Sequence, residues 1–151
     1  MLFCLNISAG NNNLWPDGTP IDKWFSNTKK VDIGSLGKKY VITDYGVKND
    51  STVLQTAEIQ SVIDRCAEEG GGLIVVPEGT FLTGSLFFKQ GTNLLVEGRL
   101  KGSDRIRDFR LLPSRMEGQS IKYFAALINA DGLDGFTIAG RGAVEASADN
   151  A

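Results

Sequence analysis

No histidine occurs anywhere in the 151 residues, so the chain lacks both the commonest general base and the commonest metal-ligating side chain. Serine–histidine and cysteine–histidine catalysis are therefore excluded within it. The two cysteines, Cys4 and Cys66, cannot build a disulfide framework or a zinc site. Cys66 falls on the apolar stripe of a predicted helix, where the role of a small buried hydrophobe is expected. The acids are scattered and show no calcium-binding cluster, and no metal or cofactor is expected. Two short stretches hold the remaining polar chemistry. "SRMEGQSIKYFAAL", residues 114–127, carries Arg115, Glu117 and Tyr123; on residue types alone, the first two read as a solvated ion pair with Tyr123 packed under the loop. "NAD", residues 129–131, places Asp131 as a corner residue.

The elements that must position these groups are short. Hydrophobic residues make up 42% of the chain, enough for one domain with a real core and too little chain for two ordinary domains. Sixteen basic against eighteen acidic residues give a net charge of -2, and no block of like charge marks a nucleic-acid face or a polybasic membrane patch. No stretch approaches the roughly 20 apolar residues of a membrane span. Glycine is the outlier at 18 residues, well above the usual share of about 7%, and implies tight corners made repeatedly.

Residues 1–10, "MLFCLNISAG", read either as the remnant of a secretory signal peptide or as an ordinary N-terminus. Residues 11–39 are polar and glycine-punctuated and form a predicted N-terminal arm. Its large aromatics, Trp15, Trp24 and Phe25, suit anchoring of the arm to the adjacent domain, with sugar stacking as the alternative. "KYVITDYGV", residues 39–47, is predicted as a strand. A helix is expected over 52–68, with Asp50 and Ser51 as N-cap candidates; Ile59, Val62, Ile63 and Cys66 share one face, and the glycines at 70–72 stop it.

After that helix come apolar pieces of about four residues separated by glycine, among them "LIVV" at 73–76, "TFLTG" at 80–84, "SLFFK" at 85–89 and "TNLLVEG" at 92–98. They are shorter than the strands of antiparallel sandwiches, and no Asn-Gly hairpin dipeptide lies between them. A parallel solenoid suits them better, because each turn stacks on the last and glycine makes the corners. The expected fold is all-β: a right-handed parallel β-helix over residues 40–151, with an N-terminal capping α-helix that covers the apolar end and unpaired backbone of the first coil.

The motifs "DYGVKND", "GGGLIVVPEGTFLTGSL", "VEGRLKGS" and "FTIAGRGAV", in this order over residues 40–146, resemble the N-terminal part of glycoside hydrolase family 28. That family comprises the polygalacturonases and their relatives in the pectate-lyase-like superfamily. The resemblance implies a secreted or periplasmic hydrolase of pectin, the acidic plant cell-wall polysaccharide, acting by metal-independent inversion. Such chemistry requires an acid and a base carboxylate held about 6.5 to 9.5 Å apart. It also implies a substrate-binding role for Arg115, Glu117 and Tyr123, which are similar to a loop near the cleft of many bacterial members, where an arginine can pair with a galacturonate carboxylate.

The family's catalytic signatures, an Asn-Thr-Asp, an Asp-Asp pair, a Gly-His-Gly and an Arg-Ile-Lys, are absent from this chain. No catalytic residue is assigned, and the chain is expected to be an N-terminal fragment, inactive alone. A noncatalytic β-helix module for carbohydrate binding or attachment is the alternative. The final "SADNA" is too short and polar to cover an open coil, so self-association through an uncapped C-terminal coil is also expected.

Overall fold

The computed structural model describes residues 14–146, which divide into two units, one ending at Asp32 and the other starting at Ile33. The signal-peptide reading of residues 1–10, including Cys4, lies outside the described residues. In the first unit the bridge Leu14↔Pro20 closes a tight turn, and Asp17 Oδ1 accepts from the Thr19 amide at 3.0 Å and its hydroxyl at 2.7 Å. Trp24 stacks on Phe25 with ring centroids 3.7 Å apart, and Trp15 meets Phe25 edge-on at 5.3 Å. These three rings pack on one another.

The second unit contains one α-helix, α1 (Thr56–Glu68), and eleven short strands. Nine strands form three parallel stacks. The first is β1 (Lys39–Val41), β2 (Gly72–Val76), β5 (Thr92–Val96) and β10 (Ile138–Ala139). The second is β3 (Thr80–Thr83), β6 (Arg99–Gly102) and β11 (Ala143–Glu145), and the third is β4 (Leu86–Phe87) with β9 (Ile128–Asn129). The chain visits the stacks in the same order on each pass. Like residues therefore align in rungs: Tyr40, Ile74, Leu94 and Ile138 in one, Phe81, Leu100 and Val144 in another. The inner members of both rungs are buried, whereas Ile138 and Val144 on the last pass are 52% and 42% exposed.

Two apolar clusters sandwich the first stack. Tyr40, Ile74, Leu94 and Val96 face the main core with Phe81, Leu86 and Leu100, while Leu73, Val75 and Leu95 face a second cluster with Ile33 and Leu36. Burial on both faces explains why "LIVV" is apolar throughout and does not alternate.

The α1 helix starts four residues later than expected. Asp50 Oδ1 accepts from the Thr52 amide and hydroxyl at 2.8 and 2.6 Å, so it closes its own turn and does not cap the helix. Residues 53–55 instead run along β3, with Leu54 bridging Leu82 and the Gln55 amide donating to the Leu82 carbonyl at 3.0 Å. The open edge of β3 recruited residues that propensity assigns to a helix. The predicted strand over 39–47 is likewise cut short. After Val41 the chain forms a 3-10 turn, Ile42–Tyr45, ended by Gly46 at φ 93°, which buries Ile42 and Val47 in the main cluster. β-Branched residues there pack as a turn because core contact outweighs strand propensity.

Side-chain amides and hydroxyls complete the backbone pairing. Gln60 donates to the Phe87 carbonyl and accepts from the Phe87 amide, both at 2.8 Å. Gln55 does the same with Lys48 at 2.7 and 2.6 Å, and Gln90 with Asp134 at 3.0 and 2.9 Å. Asn49 Oδ1 accepts from the Thr80 amide at 3.0 Å, and Thr56 Oγ1 from the Gly84 amide at 2.7 Å. Among the described residues, no buried side-chain nitrogen or oxygen lacks a partner, as a tightly packed polar edge requires. No helix among them is long and apolar enough to cross a membrane.

The end of α1 carries the strongest electrostatic feature. Glu69 accepts from the Tyr40 hydroxyl at 2.7 Å, from Arg65 at 2.9 Å and from Lys38 at 3.2 Å, and these three contacts pull its carboxyl down from 4.5 to about 2. A depressed folded-state value stabilises the fold above the unfolded-state value and is lost as pH falls through the folded one. Wild-type stability is thus expected to decline between pH 4.5 and about 2 more steeply than that of Glu69→Gln. Urea melts across that window check this, and parallel slopes would refute it.

Candidate functional site

The stretch that carries Arg115, Glu117 and Tyr123 is an antiparallel hairpin, not a loop: β7 (Leu111–Met116) pairs with β8 (Gln119–Phe124). Its turn is the dipeptide Glu117-Gly118, with φ 49° and 84°; positive φ at both positions is the signature of a type I′ turn. Asparagine or glycine normally supplies that conformation, so Glu117 concealed the hairpin in the sequence. Pro113 within β7 concealed it further, although a two-stranded ribbon tolerates proline at its edge. Relief of the left-handed strain predicts that Glu117→Asn stabilises the fold by about 0.5 kcal/mol. An unchanged or lowered unfolding midpoint would contradict the turn assignment.

The register separates the three residues. Arg115 pairs with Ser120, and Tyr123 pairs with Leu112, so strand alternation puts Arg115 and Tyr123 on opposite faces of the ribbon. Glu117 sits at the tip. Among the described residues, no ion pair joins Arg115 to Glu117, so the solvated pair expected between them is not formed. Tyr123 is exposed and does not pack beneath the segment.

The base of the hairpin is more enclosed than its tip. The Arg110 amide donates to Ser85 Oγ at 3.2 Å, and its carbonyl accepts from the Ala125 amide at 2.7 Å, which ties the start of the ribbon to the residue before β4 and its two ends to each other. Beneath it lies a cavity of 330 Å³ lined by Phe87, Phe88, Arg110, Leu112, Asn129 and Asp131. Strand alternation divides the two phenylalanines. Phe88 is buried against Phe136, with ring centroids 4.9 Å apart, while the half-buried Phe87 presents its ring to Arg110, 5.6 Å from the guanidinium carbon. Asn129 is a rigid wall: its Nδ2 donates to Leu86 and Ala126 carbonyls at 3.0 and 2.7 Å, and its Oδ1 accepts from the Ala126 amide at 3.1 Å. Arg110 and Asp131 belong to no ion pair among the described residues.

Two other concavities are less suited to a ligand. In one, of 430 Å³, the charges neutralise each other, with Arg141 bonded to Glu97 at 3.0 Å and to Glu78 at 3.4 Å. The other, of 280 Å³, is edged by Lys101, Asp104, Arg105 and Asp108, and the Asp108 carboxylate is held by the Ser103 hydroxyl. Among the described residues, no group of three or more acids, cysteines or histidines is placed to hold a metal ion. Cys66 is fully buried, and burial, with Glu69 as the lesser cause, pushes its thiol up to about 11; a thiol so protonated is a poor nucleophile.

The family described as rhamnogalacturonase A/epimerase, pectate lyase-like, matches residues 40–118, just over half of the chain. The chain belongs to this family. The match takes in Arg110, Arg115 and Glu117 and stops short of Tyr123 and Asp131. The resemblance to glycoside hydrolase family 28 read from the motifs also holds. The chain is 40% identical over 98 residues to an exo-poly-α-D-galacturonosidase of Dickeya chrysanthemi, covering 64% of this chain and 16% of that protein. Among solved structures it is similar to a hyperthermoactive exopolygalacturonase of Thermotoga maritima, with a TM-score of 0.69 and 28% identity over 75% of this chain and 26% of that one. It is also similar to the family 28 exopolygalacturonase of Yersinia enterocolitica, with a TM-score of 0.62 and 26% identity over 72% and 20% of the respective chains. The chain therefore spans about a quarter or less of each of these three relatives.

Motif reading found the family and the hairpin segment but missed the cavity. Asp131, read as a corner residue, stands just beyond β9 on the cavity wall. Arg110 had no local signal, because it meets Phe87 through a contact across 23 residues, beside the bond of its amide to Ser85 Oγ. The adjacent Phe87-Phe88 pair was the one available hint, since neighbouring strand residues face opposite sides.

Proposed function

We propose that this chain forms the first turns of a right-handed parallel β-helix, capped by α1, in a pectin-degrading glycoside hydrolase that cleaves galacturonan-type polysaccharide with inversion. The observation that carries this reading is the set of three parallel stacks, visited in constant order, in a chain similar to two exopolygalacturonases. The cap is supported by the apolar face of α1, Ile59, Val62, Ile63 and Cys66, buried in the main cluster. It is supported equally by the bonds from Asn49, Gln55, Thr56 and Gln60 to the first pass of β3, β4 and the turn between them.

Within that hydrolase, the role proposed for these residues is scaffold and substrate contact. Inverting hydrolysis needs two opposed carboxyl groups with space for a water molecule, and the family's acidic signatures are absent from this sequence. Purified chain is expected to release no reducing ends from polygalacturonate. An exopolygalacturonase whose matched segment is replaced by residues 40–146 should retain hydrolysis. Turnover by the chain alone that survives Asp131→Asn with Glu117→Gln would overturn the scaffold role, and a folded but inactive chimera would overturn the family-level function.

A further inference from the structure

The structure assigns a second kind of chemistry to the hairpin base: we propose that the cavity between β4, β9 and the start of β7 is a subsite for one uronate ring, with its carboxylate on Arg110. The choice of a uronate rests on the pectic reading above, whereas the site rests on geometry. Arg110 combines three features. Its backbone is fixed at both amide and carbonyl, by Ser85 and Ala125. Its guanidinium carbon lies over the Phe87 ring, 5.6 Å from the centroid, within cation–π range. No carboxylate of the described residues lies within ion-pair distance of it.

The remaining walls suit the rest of a sugar acid. Phe87 and Leu112 offer apolar surface to ring C–H groups, and the Asp131 carboxylate is an acceptor for hydroxyls. Because Asp131 repels a second carboxylate, the ligand is oriented with its acid toward Arg110 and its hydroxyl edge toward Asp131. Asn129 has its amide fully engaged by Leu86 and Ala126, so it shapes the wall without reading the sugar. A volume of 330 Å³ is at the lower limit of ligand pockets, roughly 300 to 1,000 Å³, which fits one ring better than a run of them. A neutral sugar or a methyl ester would forfeit the charge-assisted bond to the guanidinium, which is roughly twice as strong as its neutral counterpart.

Titration of the ¹⁵N-labelled chain with trigalacturonate, its methyl ester and galactotriose tests the assignment. Saturable amide shifts at Arg110, Asn129 and Asp131 are expected with trigalacturonate, about tenfold weaker binding with the ester, and a similar loss in Arg110→Gln. Unchanged α1 amide positions in that variant would confirm that its fold is intact. Saturable binding with shifts elsewhere, unaffected by Arg110→Gln, would overturn this site while leaving the pectic reading in place. Absence of saturable shifts with all three sugars would overturn the site as well. Equal binding of acid and ester at the cavity would overturn the uronate assignment. Binding of galactotriose with no response to trigalacturonate would sink the site's chemistry and the pectic reading together.

Discussion

Gly98→Ala is expected to cost about 3 kcal/mol and to lower the unfolding midpoint by roughly 12 °C. Gly98 sits at the corner between β5 and β6, where the second pass lies directly on the first. A Cβ there would fall on the Pro77 carbonyl oxygen, well inside van der Waals contact, with the Gly79 amide nitrogen and carbonyl oxygen each only 2.7 Å away. All three are backbone atoms, so no side chain can swing aside. Relief would require the corners at 77–79 and 97–98 to separate, and that would break the bonds from Glu97 and Arg99 to the Val76 and Gly79 carbonyls, at 2.9 and 2.7 Å. Glycines at open turns provide the control: an added Cβ at Gly46 meets nothing within 4 Å, and the cost there is φ strain alone. Thermal unfolding followed by circular dichroism would decide the matter, and a Gly98→Ala midpoint within 2 °C or so of wild type would show that the corners are not in contact.

Phe81→Ala should be the most damaging of the core truncations, at about 4 kcal/mol. Phe81 is fully buried in the rung it shares with Leu100 and is one of the largest side chains in the main cluster. Truncation removes its contacts and leaves a cavity that β2, α1 and the opposite stack cannot collapse to fill, because each is held by its own backbone ladder. The neighbouring Leu82 faces outward and is only partly buried, so Leu82→Ala should cost about 1 kcal/mol. The contrast is the informative quantity. Equal losses in urea unfolding would mean that β3 does not alternate between core and surface, and the rungs as described would fail.

Much of the architecture was legible because its signals are local. Ile59, Val62, Ile63 and Cys66 mark one helix face whatever surrounds them, and all four are buried. The short apolar pieces between glycines appear as β2, β3, β4 and β5 with boundaries close to those expected. The errors fall where a distant strand or the core competes for a residue. Residues 53–55 leave the helix to pair with β3, and Ile42 leaves its strand to enter the core. The hairpin at 111–124 was hidden because its turn residue, Glu117, is the only non-glycine with positive φ among the described residues, a conformation that no local rule assigns to glutamate.

The amino-acid sequence by itself determined the buried face of α1, the short strands that follow it with their glycine corners, and the family, because periodicity, glycine spacing and ordered motifs are properties of neighbouring residues. The absence of histidine and of the Asn-Thr-Asp, Asp-Asp, Gly-His-Gly and Arg-Ile-Lys motifs is likewise a property of the sequence that does not depend on folding. Only the tertiary structure decided which side chains share a site. Arg110 meets Phe87 where its amide bonds Ser85 Oγ, and the pairing of Leu86 with Ile128 and Phe87 with Asn129 brings Asp131 to the same cavity. Arg115 and Tyr123, eight positions apart in one motif, are driven to opposite faces by the hairpin register. Sequence separation does not encode such outcomes, because parallel pairing brings together residues far apart in the chain and a hairpin divides its residues by the parity of its pairing.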